Sequence, residues 1–176
     1  MHTRLKIKPL DKLFHLYYHN KIEYLLIKKI VNLQSQELME IIFIVGFSIL
    51  SYLLGSLPSS VWISRSFHGI DIRQHGSGNA GATNTFRVLG SKTGIIVLGL
   101  DILKGVTAAS LVMFLGSISH GTDRYINLQL LFGLSAVLGH LFPIYENFKG
   151  GKGIATLLGM VIGINYLLAL ACIALF

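Results

Sequence analysis

Two polar, glycine-rich stretches, His75 to Asn84 (HGSGNAGATN) and Gly139 to Gly153 (GHLFPIYENFKGGKG), interrupt apolar runs long enough to cross a membrane. Glycine leaves successive backbone N–H groups open, and a run of them forms a nest for phosphate oxygens. In the first stretch Gly76, Gly78 and Gly81 supply that backbone. Ser77, Thr83 and Asn84 add side-chain donors, and Arg87 follows as a planar cation suited to bidentate contact. In the second, Gly150, Gly151 and Gly153 alternate with Lys149 and Lys152 at the opening of an apolar run, which sets ammonium charge beside helix-terminal N–H groups. The chemistry implied is anion binding at two loops.

Two familiar nucleotide motifs are matched only superficially. Gly76 to Gly81 fits G-x-G-x-x-G with Asp101 20 residues on. A dinucleotide fingerprint needs a soluble βαβ unit, however, and Asp101 falls inside an apolar run of membrane length. The Lys149 to Gly153 segment lacks the first glycine of a P-loop, and Gly153 stands where a magnesium-binding hydroxyl belongs. Nucleotide hydrolysis is disfavoured.

Asp101 and Lys104 lie three apart, on one helical face, and are expected to pair. A charge within a span costs about 2.5–3.5 kcal/mol, so the pair is expected to support a site. His140, at the end of an apolar run beside Pro143, is a candidate base or phosphate donor or an interfacial hydrogen-bonding residue, and His75, before the first glycine loop, carries the same alternatives. Gly159 and Gly163 form a GxxxG pair expected to pack helices. Cys172 has no basic neighbour to activate it, and no Cys/His cluster has zinc spacing, so neither a thiol nucleophile nor a metal is expected.

The elements that must carry these loops are helices in a bilayer. At 52% hydrophobic, 13% charged and a mean hydropathy of +0.63, the chain reads as an all-α integral membrane protein, a polytopic bundle with about four transmembrane spans. The expected spans are Ile41 to Ile63, broken near Gly55, Ser56 and Pro58; Gly94 to Ile118; Ile126 to Ile144; and Gly153 to Phe176. A polar loop is expected from Ser64 to about Thr93. Arg65, Arg73, Arg87, Lys92, Lys149 and Lys152 flank the glycine-rich loops, which therefore face the cytoplasm by the positive-inside rule.

Residues 1–38 hold seven Lys/Arg against three acids and would pull the start of the first span to the same side. The conflict disappears if translation begins at Met39, the start of a membrane domain over 39–176, so the basic extension 1–38 is expected to be an upstream misreading of the start or a dispensable tail. Leu25, Leu26 and Ile30 fit one weak amphipathic helix in that extension. Lys28 and Lys29 near Tyr17, Tyr18 and Tyr24 do not amount to a nucleic-acid module, so no nucleic-acid partner is expected.

Four ordered segments, GSLPSS (Gly55 to Ser60), GIDIRQHGSGNAGATNTFRVLG (Gly69 to Gly90), LDILKG (Leu100 to Gly105) and GHLFPIYENFKGGKGIAT (Gly139 to Thr156), closely resemble the bacterial acyl-phosphate-dependent glycerol-3-phosphate acyltransferases, the PlsY family. The resemblance implies a multi-pass enzyme of the bacterial inner membrane. It would move a fatty acyl group from acyl phosphate to the 1-hydroxyl of sn-glycerol 3-phosphate, without metal or cofactor, on the cytoplasmic face. It also implies roles: Ser77, Gly78 and Asn79 clamp the acyl-phosphate head, Arg87 and Lys152 bind phosphate charge, Thr83 and Asn84 complete the donors, and Asp101, Lys104 and His140 support the site. Family members continue for several spans beyond the position of Phe176, so the domain is expected to be incomplete at its C-terminus, with the missing segment a candidate separate chain. The alternatives are an inactive truncated fragment and a membrane anion-binding or transport protein, which also uses broken helices near the bilayer.

Overall fold

The computed structural model describes residues 21–175. Residues 1–20, with Tyr17 and Tyr18, lie outside the described residues, as does the Cys172 side chain. The regular elements among the described residues are helices: α1 (Lys21–Gly55), α2 (Ser59–His68), α3 (Ala82–Ser110), α4 (Asp123–Leu141), α5 (Ile154–Ile164) and α6 (Tyr166–Leu175). Single 3-10 turns occupy Ile72–Gln74, Leu111–Phe114 and Ile144–Glu146. The chain divides into two compact units, Met1–Ile42 and Phe43–Phe176. In the first, residues 21–42 are helical, and Leu25, Leu26 and Ile30 are exposed.

Three helical stretches, Lys21–His68, Ala82–Phe114 and Asp123–Glu146, are long and apolar enough to cross a membrane, and Ile154–Ile164 is a shorter apolar helix. The first is interrupted where expected, α1 ending at Gly55 and Pro58 preceding α2. The expected fourth span is two helices. Asn165 adopts an extended backbone (φ −156°) that ends α5, and its side-chain oxygen accepts from the N–H groups of Leu167 and Leu168 to start α6.

The loop expected from Ser64 to Thr93 is shorter than that. α2 runs on to His68 and closes on Gly69 in the left-handed region (φ 67°), and α3 already begins at Ala82. Residues 82–89 read as loop because their polar side chains, Thr83, Asn84 and Arg87, face a cleft rather than lipid. Gly90 (φ 82°, ψ 178°) kinks α3 between this polar first part and the apolar remainder, in a conformation that needs glycine.

Close helix contact explains how so few spans hold together. α3 packs most extensively on α5. A Cβ on Gly105 would collide with the Thr156 carbonyl, and one on Gly159 with the Ile102 carbonyl, while Gly163 lies against Ala109 and Val106. The Gly159/Gly163 pair is thus a packing device, as expected, and Gly105 is its counterpart. The end of α1 meets α4 in the same manner, Gly55 against Ala136 and Gly139 against Tyr52. One apolar cluster joins Leu111, Val112, Tyr125, Leu128 and Phe132, with Phe47 edge-on to Phe132. Ile95, Ile96, Leu103, Leu134 and Leu138 point outward, as helix faces toward lipid require.

Candidate functional site

A second apolar cluster, Val61, Ile72 and Ala80, lies beneath the first glycine loop and anchors it. Within that loop Gly76 (φ 61°) and Gly78 (φ 73°) occupy the left-handed region. Asn84, buried at the start of α3, staples the turn: its side-chain oxygen accepts from the Ser77 N–H (2.8 Å), and its nitrogen donates to the carbonyls of Ile72 (3.1 Å) and His75 (3.0 Å). Both amide hydrogens are used within the loop, and the side-chain oxygen fixes the position of Ser77.

The second loop folds back on the end of α4. The carbonyls of His140 and Leu141 accept from the N–H groups of Gly151 (3.1 Å) and Gly150 (3.2 Å), and the Pro143 carbonyl accepts from Phe148 (2.9 Å). A Cβ at Gly151 would strike both the Ala80 carbonyl and the His140 ring, so the two loops touch at Ala80 and Gly151. Gly153 (φ 74°) then starts α5.

Between the loops opens a cleft of about 300 Å³ lined by Ser77, Asn79, Gly81, Thr83, Asn84, Arg87, Asp101, His140, Lys152 and Gly153. Most residues singled out from sequence therefore converge. Leu98, Ile154, Ala155 and Leu158 give the cleft an apolar side, and the first turn of α5 opens onto it. Lys104, Gly150 and Gly151 instead line a small neighbouring void of about 10 Å³, reached by His140 from the other side. Gly76 and Gly78 shape the loop without lining the cleft, and Lys149 and His75 are exposed outside it.

Beneath the cleft lies a polar knot. Asp101, 1% exposed, pairs with Lys104 (3.0 Å), accepts from the Ser59 hydroxyl and has His140 Nδ1 at 3.7 Å. Lys104 also donates to the Leu57 carbonyl (3.1 Å), and His140 Nδ1 lies 3.1 Å from the Thr156 hydroxyl. The pair expected from the three-residue spacing is thus present, and its charge is met by α2, α4 and α5.

Beside the cleft is a second network that sequence reading missed. Arg65 pairs with Asp71 and Glu146, both at 2.8 Å, and Arg73 pairs with Asp71 (2.8 Å) and Glu146 (2.9 Å). The Arg73 hydrogen bond, more than any other contact, holds the Asp71 carboxyl well below the usual range, and the same bond raises Arg73. Arg87 and Lys152, by contrast, have no side-chain partner among the described residues. Ser59 and Thr156 were missed as well. Both lie inside the quoted motifs, but only folding shows which carboxylate or ring they meet.

Comparison with known proteins gives one answer. A family model for glycerol-3-phosphate acyltransferase matches residues 45–176. A glycerol-3-phosphate acyltransferase of Enterococcus faecalis is 55% identical over 119 residues, covering 68% of this chain and 52% of the relative. One from Chlorobium phaeobacteroides is 50% identical over 131 residues, covering 72% and 56%. The chain spans about half the length of the curated relatives it matches. Among solved structures, PlsY, an integral membrane glycerol 3-phosphate acyltransferase, aligns in its glycerol 3-phosphate form with a TM-score of 0.65 and 39% identity over 74% of this chain and 62% of that one. Its lysophosphatidic acid form aligns with a TM-score of 0.63 and 38% identity, over 74% and 61%.

Proposed function

The chain belongs to the glycerol-3-phosphate acyltransferase family, and on that premise we propose that it transfers a fatty acyl group from acyl phosphate to the 1-hydroxyl of sn-glycerol 3-phosphate. The observation that carries the reading is a pair of cations without a side-chain partner among the described residues, Arg87 in the first turns of α3 and Lys152 on the second loop, lining one cleft that also has an apolar side. Both substrates bear phosphate, and one bears a chain that must lie among apolar helices. The solved relative's glycerol 3-phosphate and lysophosphatidic acid forms correspond to an acceptor and a product of this reaction.

In the reaction the acceptor hydroxyl oxygen attacks the acyl carbonyl carbon, an ester C–O bond forms, and the C–O bond of the mixed anhydride breaks to release phosphate. The hydroxyl proton passes to a phosphate oxygen. Because acyl phosphate is already activated, the residues need only position and stabilise charge. Arg87 and Lys152 hold phosphate charge and the charge developing during transfer. Ser77 and Asn79, which line the cleft, clamp the acyl-phosphate head, with Gly78 turning the loop between them, and Thr83 adds a donor at the start of α3. His140, tied to Thr156 and the Asp101 knot, fixes the cleft wall. The glycine loops face the cytoplasm from a bacterial inner membrane, with Arg65, Arg73, Arg87, Lys92, Lys149 and Lys152 on that side.

The test is acyl transfer from palmitoyl phosphate to radiolabelled glycerol 3-phosphate in membranes that contain the chain. A parallel sample co-expresses a segment matching the family's remaining length, the partner expected from the resemblance. Lysophosphatidic acid above membranes lacking the chain, unaffected by EDTA and not formed from palmitoyl-CoA, is the expected result. No product in either sample contradicts the assignment.

A further inference from the structure

We infer that Glu146, held between Arg65 and Arg73, is a positioning residue that keeps the two glycine loops in register across the cleft. This rests on the reading of that cleft as the phosphate site. Arg65 belongs to α2, Asp71 and Arg73 to the first loop, and Glu146 to the turn that opens the second, so the four ion pairs tie three segments that share no helix. The Glu146 side chain is only 9% exposed, and each of its carboxylate oxygens meets a different arginine. A carboxylate bridging two guanidinium groups in this way is held in direction as well as distance by two charge-assisted contacts.

What lies on either side of Glu146 makes that fixation consequential. Asn147 (φ 54°) and Phe148 (φ 59°) follow in the left-handed region, which a phenylalanine rarely adopts unless its surroundings over-determine it. The Phe148 and Lys149 N–H groups close this turn onto the Pro143 and Glu146 carbonyls, and the chain then reaches Lys152. On the other side, Arg73 lies four residues before Ser77, in the segment that Asn84 staples. The loops thus meet at two points, the ion network and the Ala80–Gly151 contact. Releasing the first lets Ser77 and Lys152 drift apart while leaving both in place on their own loops.

The test combines hydrogen exchange with kinetics on the full chain in lipid nanodiscs. In Glu146→Gln, exchange should quicken in both 69–81 and 144–153 while 123–141 stays protected. The KM for glycerol 3-phosphate should rise about tenfold with kcat changing far less, and Glu146→Asp, which keeps the charge, should recover most of the difference. If Glu146→Gln does not fold, Asp71→Asn, which weakens the same network from the first loop, is read in its place. Quickened exchange confined to 144–153, or a loss of thermal stability with KM and kcat unchanged, overturns the inference. If neither the native chain nor the chain with the co-expressed segment makes product, the proposed reaction fails by itself, and the exchange of the first loop still decides whether Glu146 couples the two.

Discussion

Two groups of cations border the same pair of loops and have opposite surroundings. Arg65, Arg73 and Lys104 each meet a carboxylate, at 2.8–3.0 Å, whereas Arg87 and Lys152 face an open cleft without a carboxylate partner among the described residues. A protein that needed its loops only to hold shape would gain from neutralising all five. Leaving two uncompensated beside glycine backbone and the start of α5 raises the potential where an anion would sit. The neutralised group ties segments together, and the open group is the one the proposed function assigns to substrate phosphate.

Substitutions that separate these groups should give separable losses. The largest is expected at Lys104→Met, which leaves the Asp101 carboxylate 1% exposed without its cation. Breaking a buried pair from one side costs about 3–5 kcal/mol, read as a fall in the unfolding midpoint in detergent. Arg87→Ala should behave in the reverse sense, losing about 100-fold in kcat/KM while stability changes by no more than ~0.5 kcal/mol. Lys152→Ala is expected to follow it with a smaller loss, since an ammonium is a point charge without the bidentate fork.

The smallest effect is a pH dependence. Asp71 has a folded-state pKa below its unfolded value, so its contribution is complete above the ordinary carboxylate range, about pH 4, and declines as pH falls below it. The stability gap between the native chain and Asp71→Asn should therefore be full at neutral pH and narrow in acid. A gap that widens on acidification would reverse the sign and remove Asp71 from the network.

Local spacing carried much of this site. The i,i+3 rule paired Asp101 with Lys104, Pro58 marked the break after α1, and the glycine-lysine alternation placed Lys152 and Gly153 at a helix start. What was not legible depends on segments far apart in sequence. Glu146 meets Arg65 from 81 residues away, and Ser59 meets Asp101 from 42, and no periodicity encodes either meeting. Asn84 lines the cleft and also holds the turn through three backbone partners, and amide chemistry alone does not announce that second, structural task in the sequence. Asn165 broke the last apolar run because one Asx cap outweighed continuous hydropathy.

The contrast between open and neutralised cations is tested most directly by titrating glycerol 3-phosphate into the purified chain, into Arg87→Gln and into Lys92→Gln. Both variants remove one positive charge from α3, but only Arg87 lines the cleft. The account predicts that Arg87→Gln weakens binding by about tenfold or more, the worth of a charged hydrogen bond, while Lys92→Gln binds like the native chain. Equal weakening in both would mean that bulk charge, and not the cleft, attracts the anion.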